Sequence, residues 1–338
     1  MTAPAILRMP GEFEAHERTV LCWPARASVY GDLMPAAEEA HARVARAIAD
    51  YEPVSVIANP GAAASRAAEL CGGRVEIVEL PIDDSWFRDS GPIYVTDGGG
   101  GRVATDWAFN GWGGKYTPFN QDDQVASRWA DHAGHPSRRM PMVLEGGSLT
   151  VDGEGTLVTT VQCLMHPNRN PGMTRHDIEA RLRRELGVDT IIWLPYGLAD
   201  DDDTDGHVDN VAVYARPGVL VMQGCDDPDE PDWLRMNVNA RWARGSSDAA
   251  GRALQVVEIP VLPFVEIGGQ RRPVPYGNYY VGNGFVLVPT AKHPADTDML
   301  AIIAEQYPGR DVIGLDVGPI LAHGGGGIHC ITQQVPAR

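Results

Sequence analysis

The sequence predicts an α/β fold of about five similar units that each lend one loop to a shared centre. A helix, a strand and then a polar, glycine-bearing loop recur along the chain. Stretches dense in polar, aromatic and glycine residues start near residues 86, 145, 206, 276 and 324, at separations of 59, 61, 70 and 48 residues. A doubly wound sheet is the alternative, but no G-x-G-x-x-G turn enters a helix and no G-x-x-x-x-G-K-[ST] loop is present.

The first unit is predicted from an apolar run and an amphipathic helix. Residues 20–23 are apolar and precede a proline, as in a short buried strand. Residues 35–51 place apolar side chains on one helical face, with prolines near the start and just beyond the end, and a strand over 54–57 follows. The stretch near residue 276 has no obvious helix before it. The other predicted elements are helices over 62–70, 122–130, 174–186 and 296–307, the last with Asp296 as N-cap, and strands over 75–80, 142–144, 190–194 and 312–315.

The composition is that of a globular protein, with 43% hydrophobic and 22% charged residues, 38 glycines and 26 prolines. The length is compatible with one catalytic domain over residues 1–338, since closed α/β architectures of this size often form one unit. No apolar run is long enough to span a membrane, and residues 1–18 lack the basic start and apolar core of a signal peptide. We therefore expect a cytoplasmic protein without a membrane partner.

Charge and cysteine content narrow the choice of partners. With 28 basic and 45 acidic residues, the net charge of −17 disfavours nucleic acid and suits a cationic ligand. The five cysteines are scattered and form no C-x-x-C pair, which argues against a disulfide framework or a zinc ribbon. We expect Cys22, Cys71, Cys163 and Cys225 to be small buried hydrophobes.

The last part of the chain carries a candidate nucleophile. Residues 324–327 are four consecutive glycines, so the backbone can pass close to a small ligand and hold the next side chain at a fixed aim. Cys330 follows, flanked by His329, a setting that can lower the pKa of a thiol and make it nucleophilic. The alternative is a flexible tail with an inert, buried cysteine.

The acidic stretch over residues 200–210 has three interpretations. It opens like a calcium loop, D-x-D-x-D-G, but its twelfth position is alanine where a bidentate glutamate is needed. His207 and Asp209 would form half of a zinc or iron site, but no second spaced histidine pair completes it. On an extended strand both side chains would face one pocket, where they would hold a cation and supply an acid or base. We expect no metal.

Two further stretches gather residue types that seldom share a turn. One covers residues 86–92 and contains Trp86, Arg88 and Asp89; the other opens with Glu145 before two glycines. Each is compatible with a simple turn, the first with a surface ion pair between Arg88 and Asp89. Taken together with the histidine and the thiol of the stretches above, these acids favour a functional site.

These motifs together resemble the agmatine deiminase family, and they occur in the family's order. They are W-F-R-D-S-G-P at 86–92, E-G-G-S at 145–148 with D-G-E-G-T at 152–156, T-D-G-H-V-D-N at 204–210, and G-G-G-G-I-H-C-I-T-Q-Q at 324–334. The resemblance runs from about residue 16 to residue 336. That family belongs to the guanidine-modifying (pentein) enzymes, so the resemblance implies a five-bladed α/β-propeller with ββαβ-like units in pseudo-fivefold arrangement around a central site.

The resemblance implies a cysteine-dependent hydrolase that converts agmatine and water to N-carbamoylputrescine and ammonia, with no cofactor. On it, Cys330 attacks the guanidine carbon to give a thiouronium, and His207 protonates the departing ammonia and then activates water. Asp89 and Asp209 grip the guanidinium, and Glu145 orients His207 or helps to bind substrate. The residue chemistry agrees, because a planar guanidinium offers paired donors that match carboxylates.

The remaining substrate-binding predictions rest on weaker signals. Asn278 resembles the family stretch that places an asparagine near the site, although a turn asparagine is commoner. Trp86 and Trp112 would face the cation, although buried aromatics are more often core. Gly327 is expected beside the ligand because the glycine stretch lets the backbone approach closely.

Two segments depart from the family pattern, so the tail of the substrate is less determined than its guanidinium. Residues 25–30 replace an Asp-Asn-Trp-like element of many members, and residues 261–275 look shorter than usual and contain Arg271 and Arg272. The alternatives are a deiminase of peptidyl-arginine, of a free arginine derivative or of an alkylguanidine, and an amidinotransferase. From a different class, the chain would be a non-catalytic binder of cationic amines. A homodimer is a family expectation only.

Overall fold

The computed structural model describes residues 7–338, in which six sheets and seven helices of seven or more residues are connected by loops and single helical turns. The strands are β1 (His16–Cys22), β2 (Val54–Ala58), β3 (Val75–Glu79), β4 (Ile93–Thr96), β5 (Arg102–Ala108), β6 (Ser137–Val143), β7 (Thr150–Val151), β8 (Thr156–Thr160), β9 (Thr190–Leu194), β10 (Ala212–Arg216), β11 (Val219–Gln223), β12 (Gln255–Ile259), β13 (Phe264–Ile267), β14 (Gln270–Pro273), β15 (Tyr280–Gly282), β16 (Phe285–Pro289), β17 (Asp311–Leu315) and β18 (Thr332–Pro336). The helices are α1 (Met34–Ile48), α2 (Ala62–Cys71), α3 (Asp122–Ala133), α4 (Arg175–Leu186), α5 (Pro231–Arg244), α6 (Asp296–Gln306) and α7 (Gly318–Gly324).

Four sheets repeat one plan, in which two antiparallel strands are followed by a helix and a third strand parallel to the second. They are β4-β5-β6, β7-β8-β9, β10-β11-β12 and β15-β16-β17. A fifth sheet, β18-β1-β2-β3, follows the same plan in β18, β1 and β2 and adds a fourth, parallel strand, β3, after helix α2. Its antiparallel pair joins the last strand to the first. The remaining strands, β13 and β14, form a separate hairpin. The predicted α/β fold is confirmed.

Helix α4 shows how local sequence sets these elements. The Thr174 side chain accepts a hydrogen bond from the backbone N–H of Asp177, whose carboxylate accepts one from the Thr174 N–H in return. Leu182 and Leu186 lie on the buried face, and Gly187 ends the helix in the left-handed conformation. Capping and periodicity together explain why this helix was predicted within one residue of its observed start.

Two predictions about helices are wrong. Helix α5 was not predicted, because it exposes Trp233, Leu234 and Trp242 and so lacks a clean apolar stripe. Asp296 is not the N-cap of α6; Ala295 holds that position. The Asp296 carboxylate instead accepts hydrogen bonds from the Tyr276 hydroxyl at 2.6 Å and the His293 backbone N–H at 3.1 Å.

The sheets provide a rigid frame because many strands are buried along their full length. Strands β2, β8, β11, β16 and β18 have no exposed residue, as expected where both faces of a sheet are covered. Within residues 7–338, no helix combines the length and apolar character needed to cross a bilayer. The connections between successive sheets lie outside the strands. They carry the site residues predicted from the sequence: Asp89, Glu145, His207, Asp209, Asn278 and Cys330.

Candidate active site

The connections between sheets bring four polar side chains to one point beside Gly147. A Cβ atom built on Gly147 would lie 2.6 Å from His207 Nδ1, 2.8 Å from Asp89 Oδ1 and 2.9 Å from Asp209 Oδ2. Cys330 Sγ donates to Asp209 Oδ2 at 3.2 Å. Residues more than 200 positions apart in the chain therefore share one cluster, and only glycine fits at its wall.

Asp89 lies on a helical turn, Phe87–Ser90, and is held at both carboxylate oxygens. The Gly147 backbone N–H donates to Oδ1 at 2.9 Å, and the Trp112 indole N–H donates to Oδ2 at 3.0 Å. Burial, together with the charges of Asp209 and Glu145, raises the pKa of Asp89 to about 6. Trp112 adopts a left-handed backbone, φ 52°, which is unusual for a tryptophan and marks a constrained position.

His207 and Asp209 converge, but not on the predicted extended strand. Val208–Asn210 is a 3₁₀ turn that follows His207. His207 Nδ1 lies 3.7 Å from Asp89 Oδ1, and Asp209 faces Cys330. Burial lowers the pKa of His207, but the negative charges of Asp89 and Asp209, together with the Cys163 thiol beside the ring, outweigh it and raise that pKa well above its ordinary value. The histidine is therefore protonated near neutral pH.

The loop before His207 is fixed by Asp201, whose carboxylate serves the protein itself. It accepts hydrogen bonds from the Thr204 backbone N–H at 3.0 Å, the Thr204 hydroxyl at 2.6 Å and the His207 backbone N–H at 3.1 Å. This carboxylate positions His207 instead of serving as a free calcium ligand.

Glu145 is fixed by an arginine that sequence analysis did not identify. Arg169 Nε donates to Glu145 Oε1 at 2.6 Å, and its guanidinium also bonds the Asp205 carboxylate and the Thr204 carbonyl. Both side chains of the Arg169–Glu145 pair are fully buried. Arg169 thus ties the Glu145 loop to the loop that carries His207.

Asn278 contacts the sulfur of Cys330. Its amide nitrogen donates to Sγ at 3.1 Å, and its amide oxygen accepts from the His329 backbone N–H at 3.1 Å. Gly327 packs against this amide, where a Cβ would overlap the Asn278 side chain. Gly327 therefore leaves room for the amide that contacts Sγ. Its predicted contact with substrate stays a prediction.

The predicted lowering of the Cys330 pKa is wrong. Burial raises the pKa of this thiol well above its ordinary value, and the charges of Asp209 and Asp89 raise it further. The neighbour expected to lower it, His329, directs both ring nitrogens to carboxylates and makes no hydrogen bond to the sulfur. The sequence placed His329 next to Cys330 but could not show which way the imidazole points.

His329 instead bridges two buried carboxylates. Its Nδ1 is 2.9 Å from Asp209 Oδ2, and its Nε2 is 2.9 Å from Glu12 Oε2, so both ring nitrogens donate and the ring is an imidazolium. Burial and Arg88 lower the pKa of His329, but Glu12 and Asp209 raise it above its ordinary value overall. Burial opposes ionisation of Glu12, yet the charges of Arg88 and His329 lower its pKa to about 2. Sequence analysis missed Glu12, because an isolated acid near residue 10 gives no motif.

A pocket with an empty volume of about 310 Å³ leads to Asp89 and Cys330. Its walls contain the predicted Trp86 and Trp112, and Gly324 and Gly325 line it in place of Gly327. The other lining residues are Asp84, Tyr116, Asp203 and Thr204. Three aromatic side chains and three carboxylates therefore line the pocket, as a small organic cation requires.

Comparisons with known proteins place this geometry in a family. The model of the Porphyromonas-type peptidyl-arginine deiminase family matches residues 8–336. An agmatine deiminase of Pseudomonas aeruginosa is 41% identical over 353 residues, which cover 98% of this chain and 95% of that protein. The chain belongs to the agmatine deiminase family. The family predicted from the four motifs is confirmed.

Other members of the family agree in sequence and in structure. An agmatine deiminase of Stutzerimonas stutzeri is 40% identical over 356 residues and covers 97% of this chain and 95% of that protein. The structure of the Enterococcus faecalis agmatine deiminase superposes with a TM-score of 0.95 at 31% identity, covering 100% of this chain and 99% of the other. Family membership extends over the whole fold and is not limited to the motifs.

Proposed function

We propose that this protein hydrolyses agmatine to N-carbamoylputrescine and ammonia through a covalent intermediate on Cys330. It is a cysteine-dependent, guanidine-modifying hydrolase of the agmatine deiminase family. The observation that carries the proposal is the convergence of Asp89, His207 and Asp209 beside Gly147, with Cys330 Sγ 3.2 Å from Asp209. A nucleophile, an acid–base group and two carboxylates for a cation meet in one buried cluster.

The guanidinium binds between Asp89 and Asp209. Each guanidinium edge presents two N–H donors, and a carboxylate accepts such a pair in a fixed plane. Among residues 7–338, Asp209 Oδ1 has no hydrogen-bond partner although it is buried, so it is available to accept from substrate. The two acids would thus hold the guanidine carbon in front of the sulfur.

Substrate binding would also generate the thiolate. Beyond burial, Asp209 and Asp89 keep the Cys330 thiol protonated through their negative charges. A bound guanidinium neutralises these charges, so the Cys330 pKa falls when the pocket is filled. The thiol proton leaves to solvent, and the nucleophile forms only beside its substrate.

The chemical steps then use protons already present in the site. The thiolate adds to the guanidine carbon to give a neutral tetrahedral adduct, and protonated His207 donates its proton to one amino group. The C–N bond breaks, ammonia leaves and a thiouronium remains on Cys330. Neutral His207 removes a proton from water, the hydroxide adds to the same carbon, and the C–S bond breaks. The hydroxyl proton passes to solvent, where the ammonia released earlier takes it up as ammonium. The urea product, the thiolate and protonated His207 remain.

Glu145 is proposed to orient His207. Its Oε2 is buried and has no hydrogen-bond partner within residues 7–338, while Arg169 holds Oε1. Because His207 and Glu145 both present ligand atoms within 4.8 Å of each other, a small rotation would join them. This contact would hold the imidazole in place while it moves a proton to ammonia and from water.

The charge of Asp203 in the pocket wall favours agmatine over arginine. Asp203 Oδ1 accepts from the Tyr116 hydroxyl at 2.5 Å, and Asp203 Oδ2 lies 3.8 Å from Arg272. We propose that Asp203 attracts the primary ammonium at the tail of agmatine. Arginine carries a carboxylate beside its amine, which the charge of Asp203 would repel.

Ammonia release from a panel of guanidines tests these proposals. We expect activity on agmatine to exceed activity on arginine, a peptidyl-arginine and an alkylguanidine, and to vanish in Cys330→Ala. Conversion of the peptide in preference to agmatine would replace agmatine by a protein substrate, which the name of the matching family model also suggests. Transfer of the amidino group to an added amine would indicate an amidinotransferase. Binding of agmatine without turnover would indicate the non-catalytic binder, and activity that survives Cys330→Ala but not a chelator would indicate a metal hydrolase.

The larger architecture is also part of the proposal. We propose that the five sheets of strand–strand–helix–strand order form a five-bladed propeller, and that residues 1–338 make one catalytic domain. The five connections that carry site residues support a common centre. A homodimer and a cytoplasmic location stay predictions, which light scattering and cell fractionation would test.

A further inference from the structure

A fifth polar residue, Cys163, lies on the side of the cluster formed by Glu145 and His207. Its thiol, a Glu145 carboxylate oxygen and a His207 ring nitrogen all lie within 4.8 Å of one another, and all three residues are buried. Cys163 was predicted to be an inert, buried hydrophobe, and it is buried. We propose that Glu145, Cys163 and His207 form an inhibitory site for a divalent ion of the Zn²⁺ type.

Two residues anchor the three candidate ligands to one another. Arg169 holds Glu145 through Oε1, leaves Oε2 without a hydrogen-bond partner within residues 7–338, and bonds Asp205 and Thr204 in the loop of His207. Thr160 holds the turn of Cys163, because its hydroxyl accepts from the Cys163 backbone N–H at 3.1 Å and donates to the Gly206 carbonyl at 2.6 Å. The hydroxyl of Thr160 thereby fixes the Cys163 turn against the loop of His207. Hydrogen bonds that hold the ligands in place are what a prearranged metal site requires.

Unpartnered atoms point to a ligand at this place. Within the described part of the chain, Glu145 Oε2 and both ring nitrogens of His207 are buried without a hydrogen-bond partner. Buried polar atoms without partners are costly, and several together indicate a group that binds among them. Substrate would satisfy some of them, but the thiol of Cys163 is not needed for that.

The donor set selects the class of ion. A thiolate, an imidazole and a carboxylate are the ligands of Zn²⁺ and Co²⁺, whereas Mg²⁺ and Ca²⁺ prefer oxygen alone. With bonds of about 2.0–2.3 Å, a tetrahedral ion needs ligand atoms about 3.3–3.8 Å apart. Closing from 4.8 Å therefore requires shifts of about 1 Å, and a fourth position stays free for water. Binding replaces the protons of the Cys163 thiol and of His207, which leave to solvent.

Occupation of this site removes His207 from the reaction. A ring nitrogen whose lone pair is given to an ion cannot carry a proton, so neither ammonia release nor water activation proceeds. The added positive charge also opposes entry of a guanidinium. The sequence alone does not indicate this site. Glu145 and Cys163 are 18 positions apart, Cys163 and His207 are 44 apart, and they form no short metal motif.

Cobalt spectroscopy tests the site without relying on turnover. Co²⁺ bound to a thiolate gives a charge-transfer absorption in the near ultraviolet. We expect this band when Co²⁺ is added to the full chain and to Cys330→Ser, and we expect it to be lost in Cys163→Ser. Cys225→Ser is the matched control, because it removes another buried thiol and should keep the band. Far-ultraviolet circular dichroism checks that each variant is folded, and Glu145→Gln, which should weaken the band, serves if Cys163→Ser does not fold.

Inhibition by Zn²⁺ supplies the second measurement. Zn²⁺ should inhibit ammonia release from agmatine, and Mg²⁺ at the same concentration should not. Cys163→Ser should raise the half-inhibitory Zn²⁺ concentration by at least about tenfold, since loss of even an outer partner of a metal costs about 10–100-fold in affinity. A band that survives in Cys163→Ser, that disappears in Cys330→Ser, or that never forms would overturn the proposal. A protein that binds Co²⁺ through Cys163 but does not release ammonia from agmatine would contradict only the proposed function.

Discussion

The two ends of the pocket differ in how firmly their residues are held. At the guanidinium end, Asp89, His207, Asp209 and Cys330 are at most 5% exposed and are anchored by buried hydrogen bonds. At the tail end, the side chain of Asp203 is 24% exposed. The difference teaches that the proposed reaction would depend on preorganised positions, whereas the choice of substrate tail would depend on a more adaptable surface.

Adding a methyl group at the guanidinium end should lower activity more than the other changes considered below. Gly147→Ala places a Cβ within 2.9 Å of His207, Asp89 and Asp209, so these side chains must move apart. We expect kcat/KM for agmatine to fall by at least about 100-fold, because a displacement near 1 Å at reacting groups has that cost. Steady-state ammonia release measures it.

Gly172→Ala is the matched control for that substitution. Gly172 has open space where its Cβ would lie and does not have a left-handed backbone. It should retain the parent activity. Near-parent activity in Gly147→Ala would show that the cluster is not held as tightly as the comparison requires.

Weakening the support behind the guanidinium end should have the next largest effect. His329→Asn removes the imidazolium between Asp209 and Glu12, and Glu12→Gln removes the charge that maintains it. We expect kcat to fall about 10-fold to 100-fold, since hydrogen bonds to charged groups contribute about 1.5–3 kcal/mol. The pH profile should also shift, because the pKa of Asp209 lies below its ordinary value partly through His329.

The pH profile distinguishes a positioning role of His329 from a packing role. His132→Asn changes a half-exposed histidine at the end of α3 and should leave both rate and pH profile unchanged. If His329→Asn lowered only thermal stability and left the pH profile at its parent position, His329 would have a packing role alone.

Lowering the pH should weaken substrate binding at the guanidinium end, because Asp89 gains a proton there. The pKa of Asp89 is raised to about 6, mainly because the carboxyl is buried. As the pH falls through that value, Asp89 gains a proton and loses the negative charge that binds the cation. We expect kcat/KM to fall about tenfold per pH unit well below pH 6, and to be restored as the pH rises above it. An alkylguanidine without a tail amine should show the same acid limb; its absence with that substrate would move the titrating group to the tail end.

Changing the tail end should have the smallest effect. Asp203→Asn removes the proposed partner of the tail ammonium, but Arg272 and solvent already weaken that attraction. We expect KM for agmatine to rise about fivefold with little change in kcat, since a partly exposed ion pair contributes up to about 1 kcal/mol. KM for an alkylguanidine should not change. Asp202→Asn, at the exposed neighbouring residue, is the control, and equal effects on both substrates would contradict a tail contact.

Sequence reasoning located the motif residues better than their contacts. Cys330 and Asp89 lie in compact motifs, so a resemblance was enough to find them. Glu12 and Arg169 could not be found, because their partners are distant in the chain and only folding brings the charges together. The direction of the His329 ring escaped prediction for the same reason.

Fold prediction succeeded where local chemistry decides the element. The span over 190–194 matches β9, whose residues are strongly strand-forming. Helix α5 was missed because two tryptophans and a leucine on its surface blur the amphipathic pattern. The turn at Val208–Asn210 was taken for a strand, since alternation of polar and apolar residues over three positions fits both.

The pairing of β18 with β1 has a consequence for biosynthesis. The turn that bears Cys330, Ile328–Ile331, runs directly into β18, which aligns with a strand formed by residues 16–22. A ribosome must therefore release residue 336 before the sulfur can take its place, however early the other sheets have folded. Assembly of the cluster around Cys330 therefore depends on a pairing between residues 16–22 and residues 332–336.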